Sequence, residues 1–211
     1  MLENIRVFTQ NSIKISNNKV IYIDPYTIDK NYNDADVIFL THDHYDHFSK
    51  DDIQKIKKES TNYVVPKKMY NDVLKLGVAK ENILTVIPNE CYEIFGIKFK
   101  TVPSYNVNKS FHPKENNWVG YILNIDDYRY YISGDTDVVE EIKNIKCDVA
   151  FVPIGGYFTM EYVEAAEYIN GIKPKIVVPV HFGTIVGDKG YGLKFEKLLK
   201  KDIECKMLLN L

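Results

Sequence analysis

Three of the chain's five histidines fall within six residues, in Thr41-His42-Asp43-His44-Tyr45-Asp46-His47. Residues two apart in an extended chain project to the same side. His42, His44 and Asp46 can therefore face one point, and His47 can swing in where the chain turns toward Ser49. Neutral imidazole and carboxylate are the ligands that borderline divalent cations such as zinc prefer. Read as a merely solvated turn, the same segment would crowd groups that repel one another once protonated. A bound cation removes that difficulty.

Two further segments carry the same chemistry. Ser133-Gly134-Asp135-Thr136-Asp137 and Pro179-Val180-His181-Phe182-Gly183 each follow an apolar run. Taken alone, Asp135 reads as a turn or cap aspartate, and His181 reads equally well as a core residue or a ligand. Together and in this order, the three segments resemble the His-x-His-x-Asp-His, Gly-Asp and final histidine motifs of the metallo-β-lactamase superfamily. The nearest resemblance is to its small stand-alone metal-dependent hydrolases, including the lactonase-like branch. It runs from Thr41 to Gly183.

That resemblance implies an α/β fold, a four-layer αββα sandwich with two metals at one edge between the sheets. It assigns His42 and His44 to a first metal, and Asp46, His47 and His181 to a second. Asp135 bridges them. The implied cofactor is Zn2+, one ion or two, with Mn2+ or Fe2+ as alternatives. Asp46 and Asp135 are the expected catalytic carboxylates, orienting the nucleophile while they ligate. Thr41 and Asp43 are expected to fix the imidazole rings from behind.

One position departs from the pattern. The family supplies another first-site histidine after the strand that here ends near Val102, but this chain reads Pro103-Ser104-Tyr105-Asn106. A neutral amide oxygen is a poor zinc ligand. His112, six residues later, is open to three readings: a replacement ligand, a catalytic group acting on substrate or proton, or an ordinary loop residue. The long polar loop that carries it is a candidate functional loop. Asn106, Lys109 and Tyr157 are the expected substrate contacts. Lys109 and Lys114 are the cations available for an anionic substrate, although a solvated surface charge is the commoner role.

The elements that must hold these groups follow from local patterning. Ile13 to Ser16, Val20 to Ile23, Asp36 to Leu40, Asn62 to Val65, Ile83 to Ile87, Tyr92 to Phe95, Ile97 to Val102, Trp118 to Ile125, Tyr128 to Ser133, Val149 to Pro153, Ile176 to Val180 and Cys205 to Leu209 read as strands. Helices are expected from Ser49, over Lys67 to Leu76 with Gly77 as the stop, from a Thr159 cap to about Asn170, and over Lys194 to Lys200. Gly96 and Asp126-Asp127 are hairpin turns. Strands followed by helices in each half fit one domain over residues 1–211.

Composition excludes several classes. Lys and Arg number 27 against 29 Asp and Glu, a net charge of −2, with no basic arm for nucleic acid. The 45 % hydrophobic content, with 16 Tyr and 10 Phe, is ample for a core. Apolar runs stay far below the roughly 20 residues that span a bilayer. The first six residues, from Met1, show no leader pattern. Three widely spaced cysteines favour a reducing cytoplasm over a disulfide framework. The expectation is a cytoplasmic metal-dependent hydrolase acting on an ester, lactone, thioester or phosphoester of a small molecule. A phosphodiesterase or nuclease, and a non-catalytic metal-binding protein, are the alternatives.

Overall fold

The apolar runs assemble into two facing sheets in a computed structural model that describes residues 2–209 and 211. Met1, the start of the leader reading, lies outside the described residues. The first sheet has the order β1 (Ile5–Val7), β2 (Ile13–Ser16), β3 (Val20–Ile23), β4 (Ala35–Phe39), β5 (Lys57–Pro66), β6 (Ile83–Val86). Its first three strands are antiparallel, and β3 to β6 run parallel. The second sheet comprises β7 (Cys91–Ile94), β8 (Ile97–Pro103), β9 (Val119–Ile125), β10 (Tyr128–Ile132), β11 (Val149–Pro153), β12 (Ile176–Val180) and β13 (Glu204–Cys205) in sequential order. Here β7 to β10 are antiparallel and β10 to β13 parallel.

Alternate residues of each strand divide between two cores. Ile13, Ile15, Ile23, Val37 and Phe39 meet Phe99, Tyr121, Leu123, Ile132 and Phe151 between the sheets. The opposite face of the first sheet, including Tyr22, Ile38, Leu40 and Tyr63, is covered by α1 (Lys50–Ile56) and α2 (Tyr70–Leu74). The opposite face of the second, including Tyr131, Ala150, Val152 and Val177, is covered by α3 (Tyr162–Ile172) and α4 (Tyr191–Leu198). The result is the αββα sandwich expected from the resemblance. No helix among the described residues is long and apolar enough to cross a membrane.

Ser49 caps α1 by accepting from the Asp52 amide, and its hydroxyl donates to the Asp52 carboxylate. Asp126 and Asp127 both take positive φ, as a tight hairpin requires. Several local expectations are corrected. Thr159 does not cap a helix: it is fully buried in the turn following Gly156, and α3 starts at Tyr162. The final strand is limited to Glu204–Cys205, where β12 still offers a parallel partner. Helix α4 begins three residues earlier than expected, at Tyr191. Strand β5 follows α1 directly and is more than twice the expected length. The short edge strand β1 had no pattern strong enough to announce it.

Candidate metal centre

Five chain crossings deliver polar groups to one edge of the sandwich. Asp24 follows β3, the histidine-rich turn follows β4, the Ser104-to-Asn117 loop follows β8, Asp135 follows β10 and His181 follows β12. These strands all point the same way, so the groups lie beyond carboxyl ends of strands, where open α/β sheets place their ligands. The sheets are fastened there: the Tyr121 hydroxyl donates to the Leu40 carbonyl at 2.6 Å, and the Val119 amide donates to Thr41 O at 3.2 Å.

His42, His44 and His112 form one potential ligand triad, and Asp46, His47 and His181 form another. His42 Nε2 and His44 Nδ1 are 3.1 Å apart. Asp135 lies between the triads. Its carboxylate is 3.4 Å from His47 Nε2, 3.4 Å from His112 Nε2 and 3.1 Å from His181 Nε2. All six of these triad residues except His44 are buried, as is Asp135.

A second row of groups orients the rings. Asp24, fully buried, accepts from His47 Nδ1 at 2.8 Å, the Thr41 hydroxyl at 2.6 Å, the Thr41 amide at 2.8 Å and Asn11 at 2.8 Å. The Thr41 oxygen in turn lies 3.0 Å from His42 Nδ1, which leaves His42 Nε2 facing the centre. Asp24, rather than Asp43, is therefore the carboxylate behind the histidines. Gln10 reaches in from the loop before β2, its Nε2 3.3 Å from Asp46 and 3.2 Å from His181 Nε2. No sequence motif marked either residue. Asp24 had a weak signal as a polar residue between a strand and Pro25.

Electrostatics follow the geometry. Burial, with the positive charge on His47, pushes His42 well below its ordinary basicity, and burial with His112 lowers His44. Burial opposes charge on Asp135, but His181 and His47 outweigh it and hold the carboxyl well below the usual range. Asp46 is held at about 2 against its own burial by the hydrogen bond and charge of His181 and by His47. His181 rises to about 9 because Asp135 overcomes the desolvation of the ring. The carboxylates thus favour positive charge on His47 and His181, the kind of charge that a bound cation would supply.

The donor set fits a divalent metal. His47 Nε2, His112 Nε2 and Asp135 Oδ1 are buried without a hydrogen-bond partner, and all three face the common centre. Buried polar atoms are nearly always satisfied, so three orphans in one place mark a ligand position.

The three expected substrate contacts are not among the residues lining the pocket. Asn106 spends its amide on the protein: Oδ1 accepts from His112 N at 3.0 Å and His112 Nδ1 at 2.9 Å, and Nδ2 donates to Phe158 O at 2.9 Å. Lys109 is tied to the Asp137 carboxylate and to Thr159 O, away from the centre. Tyr157 is exposed and packs against Phe158 edge to face and against Phe111 at a tilt, from outside the pocket. Lys114 is held by Glu141 and the Tyr105 hydroxyl. Of the two glycines after β11, Gly155 serves close approach as well as the turn: a Cβ there would stand 2.3 Å from the His181 carbonyl oxygen.

A family model described as a beta-lactamase superfamily domain matches residues 4–181. The chain belongs to this superfamily. A superfamily relative from Thermococcus onnurineus, named a metal-dependent hydrolase, is 30% identical over 193 residues, spanning 85% of this chain and 84% of its own. Another of that name from Pyrococcus horikoshii is 32% identical over 184 residues, 81% of this chain and 80% of its own. Among solved structures, a Parabacteroides distasonis protein assigned as a metal-dependent hydrolase aligns with TM-score 0.81 and 30% identity, over 98% of this chain and 93% of that one. A metallo hydrolase from Ignicoccus hospitalis, 20% identical, aligns with TM-score 0.75 over 96% and 93% and shows the shared fold.

Proposed function

We propose that the protein is a metal-dependent hydrolase that binds two divalent cations and cleaves a carboxylic ester, lactone or thioester of a small molecule. The observation that carries this reading is the convergence of two ligand triads on the Asp135 carboxylate. His42, His44 and His112 would hold one ion, and Asp46, His47 and His181 the other, with Asp135 shared. Imidazole-rich sites of this kind suit zinc, with manganese or iron as alternatives. A divalent cation held by these residues would supply a water with its pKa lowered from 15.7 to roughly 7 and Lewis acidity toward a substrate carbonyl.

The chain's own groups do the rest. Asp24 and Asn106 hold His47 and His112 with Nδ1 engaged, which directs Nε2 of each at the centre. His112 thereby takes the place of the histidine missing at position 106, rather than acting as a free proton shuttle. Asp46 lines the pocket and keeps its carboxylate ionised, available to orient the attacking water. No serine or cysteine nucleophile is required. The phosphodiesterase reading is less well supported, because none of the described residues lining the pocket is Lys or Arg. Its three cysteines are free, which agrees with a cytoplasmic setting.

The test is metal analysis of the purified protein together with turnover of a panel of lactones, thioesters, esters and phosphodiesters. Bound metal with ester-type turnover is the expected result. Metal retained with no turnover of any member would favour a binding protein on the same scaffold.

A further inference from the structure

The pocket over the centre has a volume of about 250 Å³. That is below the roughly 300–1,000 Å³ of sites for drug-sized ligands. Apart from the ligand histidines and carboxylates, its walls are Tyr45, Phe111, Phe158 and Ile185. Phe111 and Phe158 meet edge to face at 4.7 Å, and Tyr157 buttresses both from outside. Tyr45, Phe111 and Ile185 are also among the large apolar side chains left exposed, which gives the mouth an apolar rim. The cations of the neighbouring loop are engaged elsewhere: Lys109 with Asp137 and Thr159, Lys114 with Glu141 and Tyr105.

Resting on the hydrolase reading above, we infer that the substrate is small and uncharged outside its scissile group, with an apolar aryl or alkyl substituent seated against Phe111, Phe158, Tyr45 and Ile185. A phosphate or carboxylate on that substituent would lose its water against aromatic walls and find no cation to replace it. An apolar substituent gains from the same walls. In the reaction on an ester, the oxygen of water bonds to the carbonyl carbon, the acyl–oxygen bond breaks, and the leaving alkoxide takes the proton that the water gives up. The products are a carboxylic acid and a neutral, apolar alcohol.

The experiment compares 4-methylphenyl acetate with 4-carboxyphenyl acetate on the zinc-loaded enzyme, each kcat/KM divided by the ester's own hydroxide-catalysed rate. The 4-methylphenyl ester should lead by at least about a hundredfold, since the carboxylate is stranded in an apolar wall. Lengthening the acyl chain from acetate to propanoate should raise kcat/KM about fourfold, the worth of one buried methylene. Ile185→Lys and Tyr45→Arg each place a cation at the exposed rim, where folding is least at risk. Each should cut the methyl-over-carboxylate preference at least tenfold. Equal or reversed preference in the wild type, with ester turnover intact, overturns this inference alone. Absence of turnover of both esters and of a neutral lactone, with two zinc ions measured per chain, overturns the hydrolase reading and this inference with it.

Discussion

Truncating Asn106 to alanine should weaken one metal site and leave the other as it was. Its side chain makes three hydrogen bonds: two accepted by Oδ1 from His112, through the backbone amide at 3.0 Å and ring Nδ1 at 2.9 Å, and one donated to Phe158 O at 2.9 Å. Alanine abolishes all three and leaves the buried Nδ1–H of His112 without an acceptor. An unsatisfied buried donor costs about 1–3 kcal/mol. Removing the partner that orients a ligand histidine typically costs about 10–100-fold in metal affinity, which is about 1.4–2.7 kcal/mol. The two routes agree. Zinc titration of the metal-free protein against a chromophoric chelator should resolve two binding steps in the wild type. In Asn106→Ala one step should weaken 10–100-fold, while the step held by Asp46, His47 and His181 stays within about twofold. His112→Ala should weaken the same step further, and adding Asn106→Ala to it should change little, because the ring that Asn106 positions is gone. Wild-type affinity for both sites in Asn106→Ala, or a full second loss in the double variant, would refute the role of Asn106 as the holder of His112.

Other outcomes follow from the same geometry. Asp46→Ala and His44→Ala should each lose metal and activity together, measured by elemental analysis and turnover; a variant keeping full metal content and rate contradicts the assignment. Gly155→Ala should lower the melting temperature and weaken zinc binding, because its Cβ would displace the His181 carbonyl. Asp52 binds the amides of Thr27 and Ile28, the Ser49 hydroxyl and Lys55, so Asp52→Ala should cost about 1–3 kcal/mol in urea denaturation. Burial works against its charge, but Lys55, Ser49 and the Ile28 amide bring its carboxyl below the usual range. A carboxyl lowered on folding stabilises the protein above its unfolded pKa of about 3.9, and that stability fades as pH falls through the lower folded value. The variant's deficit should accordingly shrink in acid and be constant near neutrality.

The histidine-rich part of the candidate site was legible in the sequence because its groups are local. Alternation in an extended segment after an apolar run places His42, His44 and Asp46 on one side, whatever the rest of the chain does. The same patterning announced the core strands, whose β-branched runs are buried on both faces, and the Ser49 cap, whose partner is three residues away. The misplaced elements are those set by neighbours: β13 lasts as long as its parallel contact with β12, and α3 starts where the turn from Gly156 ends.

The residue types and their order thus pointed to the two-sheet sandwich and to most of the candidate ligand set. Tertiary structure alone brought His112 onto Asn106 and beside His42 and His44. Nothing in the spacing of Asn106 and His112 says that the loop folds the amide onto the ring, since that contact depends on Phe158, which is distant in sequence, and on the path of the chain between. Asp24 and Gln10 were hidden for the same reason: a buried carboxylate or amide earns its role from partners on other strands, which a linear pattern does not carry. Lys109 illustrates the converse. Its sequence context offered a cation to a substrate, and packing against Asp137 and Thr159 withdrew it, leaving an active-site wall made of aromatic and aliphatic side chains.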